Sequence, residues 1–185
     1  SFSAHKLHGP KGIGALYVSG RISISPLLHG GSQERKRRAG TENVAGIAGF
    51  AKASVLACES LDESRKHLER LRAEMVAELD RLLGSDSFVV NGHPSERLPH
   101  ILNISFPGID TETMLMNLDL EGVAAASGSA CTSGSLTLSH VLRAMELPED
   151  VMRSAVRFSF GRTQPIEHIR AAAQKIATIS RRIRK

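Results

Sequence analysis

The sequence predicts an α/β fold, and two patterns are the main reason. After Gly84, short apolar runs rich in β-branched residues alternate with segments of helical periodicity, an order that favours a small α/β domain. Before Gly84, apolar residues recur every three or four positions between 68 and 82, with Arg and Glu on the opposite face. This spacing predicts a long amphipathic helix, which Gly84 is expected to end.

The first part of the chain predicts a strand, a loop and a helix in that order. Residues 13–18 are a short apolar run bounded by glycines, which indicates a buried strand. Residues 20–40 are rich in Gly, Ser, Pro and basic side chains and predict a loop. Thr41 is then expected to cap a helix that runs from Val44 to about Ser60, with Glu42 at the positive end of the helix dipole.

The second part predicts the elements of the small domain. Asp110 is expected to begin a helix over residues 111–120, and residues 139–145 are expected to form a shorter one. Pro165 suits the first turn of a closing amphipathic helix that ends near Ile183. The predicted strands cover residues 88–90, 101–106, 123–125 and 155–160.

The composition is that of a globular domain and argues against direct nucleic-acid binding. An apolar fraction of 41% and a charged fraction of 23% are ordinary for a soluble globular domain. The net charge of +5 comes largely from residues 35–38 and 181–185, which have no interleaved aromatic residues. We therefore expect a basic loop and a solvated tail rather than direct nucleic-acid binding.

The sequence also argues against a membrane protein and against a metal site. No apolar run approaches the roughly 18–20 residues of a membrane span, and no signal peptide opens the chain, so we expect a cytoplasmic protein without membrane association. The spacing of metal ligands is missing, and no metal site is expected.

The two cysteines lie in different settings. Cys58 follows Val55, Leu56 and Ala57 in a predicted helix, which indicates a buried and inert thiol. Cys131 lies in a Ser-Gly-Ser-Ala-Cys-Thr-Ser-Gly segment whose other members are all small. A thiolate in such a segment is accessible, as catalytic thiols must be, although an ordinary cysteine in a surface loop is the alternative.

A second candidate for covalent chemistry lies at the beginning of the sequence. Lys6 follows Ser-Phe-Ser-Ala-His and precedes a glycine-rich run over residues 9–14. A lysine amine with small neighbours suits a covalent bond to a carbonyl cofactor, and Ser3 and His5 add groups that could hold a phosphate. A solvated lysine in a Gly-Pro turn is the alternative.

Two further residues have the chemistry of anion recognition. Arg157 lies in a predicted strand, where a guanidinium offers a rigid fork matched to a carboxylate, although a surface salt bridge is the simpler reading. Thr41 places a hydroxyl at a predicted helix N-terminus beside free backbone N–H groups, although capping alone also explains it.

Together these motifs resemble those of the pyridoxal-phosphate (PLP) cysteine desulfurases of the NifS/IscS type, in the class V aminotransferase superfamily. The likeness runs in the family's order through residues 1–6, 30–41, 127–144 and 157–162. It implies the C-terminal half of a PLP aspartate-aminotransferase-like fold. The implied parts are the end of the large PLP-binding domain (1–60), a connecting helix (61–84) and a small α/β domain with the Cys131 loop (85–185).

The resemblance implies a cofactor role for four residues. Lys6 would bind PLP covalently, and Ser3 and His5 would hold its phosphate. Thr41 would reach across a homodimer interface to the phosphate bound by the other subunit. Since the family's polypeptide is about twice as long, most of the PLP pocket is expected to precede Lys6.

The resemblance also implies a substrate and a product. Arg157 would bind the α-carboxylate of L-cysteine, and Cys131 would attack the substrate sulfur, giving alanine and a Cys131 persulfide. The sulfur would pass to an iron–sulfur scaffold protein or a tRNA-thiolation acceptor. Cys131 would also be able to ligate a nascent iron–sulfur cluster transiently.

Two alternatives stay open. Another class V enzyme, such as an aminotransferase or a selenocysteine lyase, would share Lys6, and an aminotransferase would have no need of Cys131. The chain could also be an inactive fragment that carries a persulfide or docks a partner. We expect the 185-residue chain alone to bind PLP poorly and to turn over little substrate.

Overall fold

The computed structural model describes residues 1–128 and 138–184. The chain divides into two compact units, Ser1–Asp62 and Glu63–Lys185, which are called here the N-terminal unit and the C-terminal unit. The assignment of residues 1–60, 61–84 and 85–185 to a large domain, a connecting helix and a small domain stays a prediction.

The N-terminal unit contains little regular structure before its long helix. Strands β1 (Phe2–Ser3) and β2 (Gly14–Ala15) pair antiparallel, with a 3-10 helix over Ala4–Leu7 between them. A short turn, α1 (Gln33–Lys36), precedes α2 (Val44–Glu59). The extent of α2 confirms the helix predicted from Val44 to about Ser60.

The prediction of a buried strand over residues 13–18 is wrong. Only Gly14 and Ala15 are in a strand, and both are exposed. Leu16 and Tyr17 follow with 65% and 79% of their surface exposed. The run is apolar as predicted, but the N-terminal unit provides no layer of structure that covers it.

The cap of α2 is Asn43 rather than Thr41. The Asn43 side-chain oxygen accepts a hydrogen bond from the Gly46 backbone N–H at 3.0 Å, and Val44 is the first helical residue. Thr41 and Glu42 therefore precede the helix, and Glu42 is not in its first turn. An amide oxygen directly before the helix reaches the free N–H groups, which a hydroxyl two residues earlier does not.

Cys58 is exposed, so the prediction of a buried thiol is wrong. The helix that carries it, α2, buries only Gly46 and Ala53. Its apolar side chains Val55 and Leu56 are exposed as well. The local apolar sequence describes the helix correctly but does not say which of its faces other structure covers.

The C-terminal unit is built on a three-stranded antiparallel sheet. Its strands are β3 (Val89–Asn91), β4 (Ile101–Ser105) and β5 (Ala155–Ser159), in the order β3-β4-β5. Its described helices are α3 (Leu61–Leu83, which enters this unit at Glu63), α4 (Thr111–Leu120), α5 (His140–Ala144), α6 (Glu149–Arg153) and α7 (Ile166–Ile183). This arrangement confirms the predicted α/β fold and the end of α3 at Gly84.

Three details of the C-terminal unit differ from the sequence prediction. Residues 123–125 form no strand; instead Ala126 makes an isolated β-bridge to Arg157. Helix α6 was not predicted, and its five residues are too few to show a helical period. Pro165 is the N-cap of α7 rather than a first-turn residue.

The sheet has an apolar face and a polar face. Side chains alternate between the two faces along each strand. Leu102, Ile104, Val156 and Phe158 are buried in one hydrophobic core with α3, α4 and α7. The opposite face of β4 and β5 carries Asn103 and Arg157, and this alternation leaves a polar surface available for a site.

The basic residues at the end of the chain are tied to the C-terminal unit. The Arg182 guanidinium donates to the Asn117 side-chain oxygen at 2.6 Å, and Arg184 donates to the carbonyl oxygens of Ser87 and Pro107. Arg181 donates to the Leu82 carbonyl. These side chains are exposed, but they do not form the free, solvated tail that the sequence suggested.

Within the described residues, no single helix combines the length and apolar character needed to cross a membrane. The bent pair of α2 and α3 meets these two criteria only when its helices are counted together.

We expect replacement of Asp110 to destabilise the C-terminal unit. As predicted, Asp110 caps α4: one carboxylate oxygen accepts from the backbone N–H groups of Glu112 at 2.9 Å and Thr113 at 3.4 Å. Asp110→Ala should cost about 1 kcal/mol of unfolding free energy, measured by urea denaturation. Asp110→Asn keeps a capping oxygen and should stay close to wild type. Equal losses in both variants would contradict the capping role.

Candidate functional site

Lys6 is presented by a short turn whose backbone is held in place. The Ala4 N–H donates to the Ile13 carbonyl at 3.1 Å, and the Gly9 N–H donates to the Ala4 carbonyl at 2.9 Å. Ala4 is fully buried, and a Cβ at Gly9 would lie 3.1 Å from the Cβ atoms of both Ala4 and Ala53. Glycine at position 9 therefore lets the turn pack closely on α2, while Lys6 stays exposed.

The side chains around Lys6 fit the cofactor that the resemblance implies. Ser3, His5 and Lys6 are all exposed, and they lie within one strand end and the 3-10 helix that follows it. The amine can bond to the aldehyde of PLP, and the hydroxyl and imidazole can donate hydrogen bonds to a phosphate. The donor set thus has the chemistry needed to hold the cofactor.

Thr41 borders a cleft of the N-terminal unit. It is exposed and borders a cleft of about 940 Å³ together with Gly12, Arg35, Arg37 and Arg38. None of Ser3, His5 and Lys6 lines this cleft. Ser3, His5 and Lys6 therefore lie together on one turn, and the cleft that Thr41 borders is lined by Gly14, the strand partner of Ser3, but not by those three residues.

The basic loop beside Thr41 has a strained backbone. Glu34, Arg35 and Lys36 have φ angles of 48°, 56° and 64°, in the left-handed region. Each such residue costs roughly 1–2 kcal/mol when it is not glycine. Strain of this kind is often found at functional sites, and Glu34 and Arg35 line the cleft that Thr41 borders.

Arg157 lies on the polar face of the sheet with one nitrogen anchored. Its Nη1 donates to the Gly128 carbonyl at 2.5 Å, and its backbone exchanges two hydrogen bonds with Ala126. Its Nε is buried and has no hydrogen-bond partner among residues 1–128 and 138–184. A buried guanidinium N–H without a partner is costly, and an anion entering here would satisfy it.

Arg157 borders a cleft of about 740 Å³ in the C-terminal unit, together with Asn103 and His140. Gly128 and Leu138 also line this cleft. The described residues on either side of positions 129–137 therefore border the cleft. Cys131 itself lies outside the described residues.

A hydrogen-bonded group of polar side chains that begins in the same cleft, at Asn91 and Asn103, was not identified from the sequence. Asn91 Nδ2 donates to Asn103 Oδ1 at 2.6 Å and to Ser105 Oγ at 2.7 Å. Ser105 Oγ in turn donates to the Val151 carbonyl at 2.6 Å. The sequence does contain a signal for this group: Asn103 and Ser105 alternate with apolar residues along β4.

The resolved pKa shifts among the described residues belong to side chains in hydrogen bonds and ion pairs of the C-terminal unit. Burial, and secondarily the charge of Arg97, lowers the pKa of Arg72, whose guanidinium donates to the Ile101 carbonyl at 2.7 Å. Hydrogen bonding from Arg81 lowers the pKa of Glu78. Hydrogen bonding to Glu74 raises the pKa of Arg170, which links α7 to α3.

Among the described residues, no cluster of three or more His, Cys, Asp and Glu side chains could hold a metal ion.

Comparison with known proteins gives a consistent result. The family described as aminotransferase class-V matches residues 1–171. A cysteine desulfurase IscS from Methanosarcina thermophila is 42% identical over 184 residues, and one from Dictyoglomus turgidum is 48% identical over 161 residues. These alignments cover 100% and 87% of this chain, but 45% and 40% of the two relatives.

Two solved structures of NifS-like proteins have the same fold as this chain over most of its length. A NifS-like protein superposes with a TM-score of 0.83 at 36% identity, over 96% of this chain and 45% of its own. A NifS-like protein from Rickettsia africae gives a TM-score of 0.72 at 29% identity, over 86% of this chain and 41% of its own. The chain spans about half the length of the curated relatives it matches.

Proposed function

The chain belongs to the class V aminotransferase family, and from this membership we propose that it forms part of a PLP-dependent cysteine desulfurase. The observation that carries the proposal is the alignment, along the whole chain, with relatives named cysteine desulfurase. The aligned region includes the two groups that the reaction needs, which are the amine of Lys6 and the thiol of Cys131.

Four residues would serve the cofactor. When bound, PLP withdraws electrons from the α-carbon of an amino-acid substrate. Lys6 Nζ holds the cofactor covalently and, once released, can move the proton of that α-carbon. Ser3 and His5 donate hydrogen bonds to the phosphate. Thr41 would serve the phosphate of the second subunit in a homodimer.

Arg157 would hold the α-carboxylate of L-cysteine. Its Nη1 is anchored on Gly128, while its buried Nε lacks a partner within the described part of the chain. A carboxylate oxygen would supply that partner, and a guanidinium is always charged at neutral pH. Fixing the carboxylate also fixes the position of the substrate sulfur relative to the attacking thiol.

Cys131 would accept the sulfur. Its thiolate attacks the substrate sulfur, an S–S bond forms, and the Cβ–S bond of the substrate breaks. The electron pair of the broken bond stays on the carbon side, and protonation there gives alanine. A persulfide remains on Cys131 for transfer to a sulfur-acceptor or iron–sulfur scaffold protein, and Cys131 could also ligate a nascent cluster transiently. We place this activity in the cytoplasm.

The test is product analysis with the full-length protein loaded with PLP. Given L-cysteine and a thiol reductant, it should form alanine and sulfide in equal amounts. Without the reductant, mass spectrometry should find the Cys131 peptide one sulfur atom heavier. Formation of a keto acid instead of alanine would show an aminotransferase. Turnover of selenocysteine but not cysteine would show a selenocysteine lyase. Either result would overturn the proposal.

One observation bears on the alternative of an inactive fragment. In the N-terminal unit only Ala4, Gly46 and Ala53 are buried, whereas Leu16, Tyr17 and Leu27 are largely exposed. The segment around Lys6 therefore provides no enclosed, dry pocket of its own. We expect the 185-residue chain alone to bind PLP weakly and to form little alanine, so the full-length protein is the form to assay.

A further inference from the structure

Three polar residues form a row across the sheet of the C-terminal unit. Asn91 on β3 is paired with Asn103 on β4, and Asn103 is paired with Arg157 on β5. Directly opposed residues on neighbouring strands lie side by side on one face, with Cβ atoms about 4.5–5.5 Å apart. All three residues line the cleft of about 740 Å³. The row therefore places the Asn103 amide next to Arg157 in that cleft.

Hydrogen bonding determines which way the Asn103 amide points. The Ser105 hydroxyl has one hydrogen, and at 2.6 Å the Val151 carbonyl can only accept it. Ser105 Oγ must therefore accept from Asn91, so the atom of Asn91 that faces it is Nδ2. The same Nδ2 lies 2.6 Å from the Asn103 side-chain amide, so the atom of Asn103 that accepts this hydrogen bond is Oδ1.

This arrangement leaves one donor on Asn103 and one on Arg157 without a hydrogen-bond partner among residues 1–128 and 138–184. With its oxygen held by Asn91, Asn103 turns Nδ2 away from β3, and no hydrogen bond joins that nitrogen to a residue the structure describes. Arg157 Nε is the second donor without a partner among the same residues. One of these donors belongs to a cation, and the two residues are neighbours across the β4–β5 ladder.

We propose that Asn103 is a second binding residue for the substrate α-carboxylate, acting beside Arg157, and that Asn91 is a positioning residue that holds the Asn103 amide with its N–H groups toward the substrate. A carboxylate has two oxygens, and two donors from adjacent strands match them. The inference rests on the proposed function and deepens it, because it names what recognises one end of the substrate.

The test compares two ligands with the full-length protein loaded with PLP. L-alanine and ethylamine differ only by the carboxylate, and calorimetry gives a dissociation constant for each. Asn103→Ala should weaken L-alanine binding about tenfold or more, since a hydrogen bond to a charged group is lost. Ethylamine binding should not change. Equal weakening of both ligands, or no weakening of L-alanine, would overturn the inference.

A second variant separates recognition from folding. Asn103→Asp keeps an oxygen for Asn91 Nδ2 but replaces the free donor with a negative charge. L-alanine should bind at least as weakly as in Asn103→Ala, and the thermal midpoint should stay close to wild type. Wild-type affinity for L-alanine in Asn103→Asp would overturn the proposal. Ser159→Ala is the matched control, because Ser159 lies on the same face of β5 and outside the cleft lining.

The positioning role of Asn91 has its own readout. Asn91→Asp replaces the donor facing Asn103 with an acceptor, so the Asn103 amide should rotate and turn its oxygen toward the substrate. L-alanine binding should then weaken while ethylamine binding does not. Loss of both ligands in parallel would show a purely structural role. If wild-type protein formed no alanine from cysteine, the proposed function would fail, yet the ligand pair would still report carboxylate recognition.

Discussion

Replacing Lys6 with alanine should remove the covalent attachment of PLP and lower alanine formation by at least roughly 10²–10⁴-fold, the range for loss of a positioned proton-transfer group. The reason is that the Lys6 amine has two tasks in the proposed reaction, since it holds the cofactor and moves the α-proton. The exposed turn that carries Lys6 leaves this amine accessible to the cofactor. No change of fold is needed for the loss.

The measurement is mass spectrometry after borohydride reduction of the PLP-loaded, full-length protein. In wild type, the peptide containing Lys6 should gain the mass of the reduced cofactor, and in Lys6→Ala no peptide should gain it. Lys11 is the matched control, because it is exposed in the same glycine-rich segment, and Lys11→Ala should keep both cofactor and activity. Attachment that persists in Lys6→Ala but disappears in Lys11→Ala would show that the wrong lysine was assigned.

Replacing Cys131 with serine should abolish alanine formation from L-cysteine while PLP stays bound. A serine hydroxyl is neither ionised at neutral pH nor able to hold a sulfane sulfur, so the Cβ–S bond of the substrate has no acceptor for its sulfur. The assay follows alanine by chromatography together with the absorbance of bound cofactor. We expect activity at the background level and cofactor content equal to wild type.

The other cysteine is the natural control for this experiment. Cys58 is exposed on α2 and therefore accessible to solvent, but no motif around it indicates catalysis. Cys58→Ser should form alanine at the wild-type rate. If Cys58→Ser were inactive and Cys131→Ser active, the sulfur would pass through Cys58 rather than Cys131, and the proposal would be contradicted. If both variants were active, Cys131 would not be the required sulfur acceptor, and the proposal would fail.

Much of the fold was predictable because its signals are local. The period of the leucines in α3, the cap at Asp110 and the alternation in β4 each depend on residues a few positions apart. The predicted strand over residues 13–18 failed for the opposite reason. Its apolar composition is real, but burial depends on other segments that cover it, and the N-terminal unit does not supply them.

The candidate site was predictable in part. Lys6, Ser3 and His5 were found together because they are adjacent in sequence, and Arg157 was found through its strand and the surrounding motif. Asn103 was missed, since an asparagine in a strand has no distinctive local pattern. Its role emerges only when Asn91, twelve residues away, and Ser105 are seen to hold its amide.

By itself, the sequence determined most of the helices and strands of the C-terminal unit, and it identified side chains with the chemistry of an amine, a thiol and a guanidinium. These properties follow from residue type and short-range spacing. Only the tertiary structure decided that α2 exposes Cys58, that Arg184 is tied to the Ser87 carbonyl, and that Arg157 Nε is buried without a partner among the described residues. Burial and hydrogen bonding depend on segments distant in the chain, which local patterns do not specify.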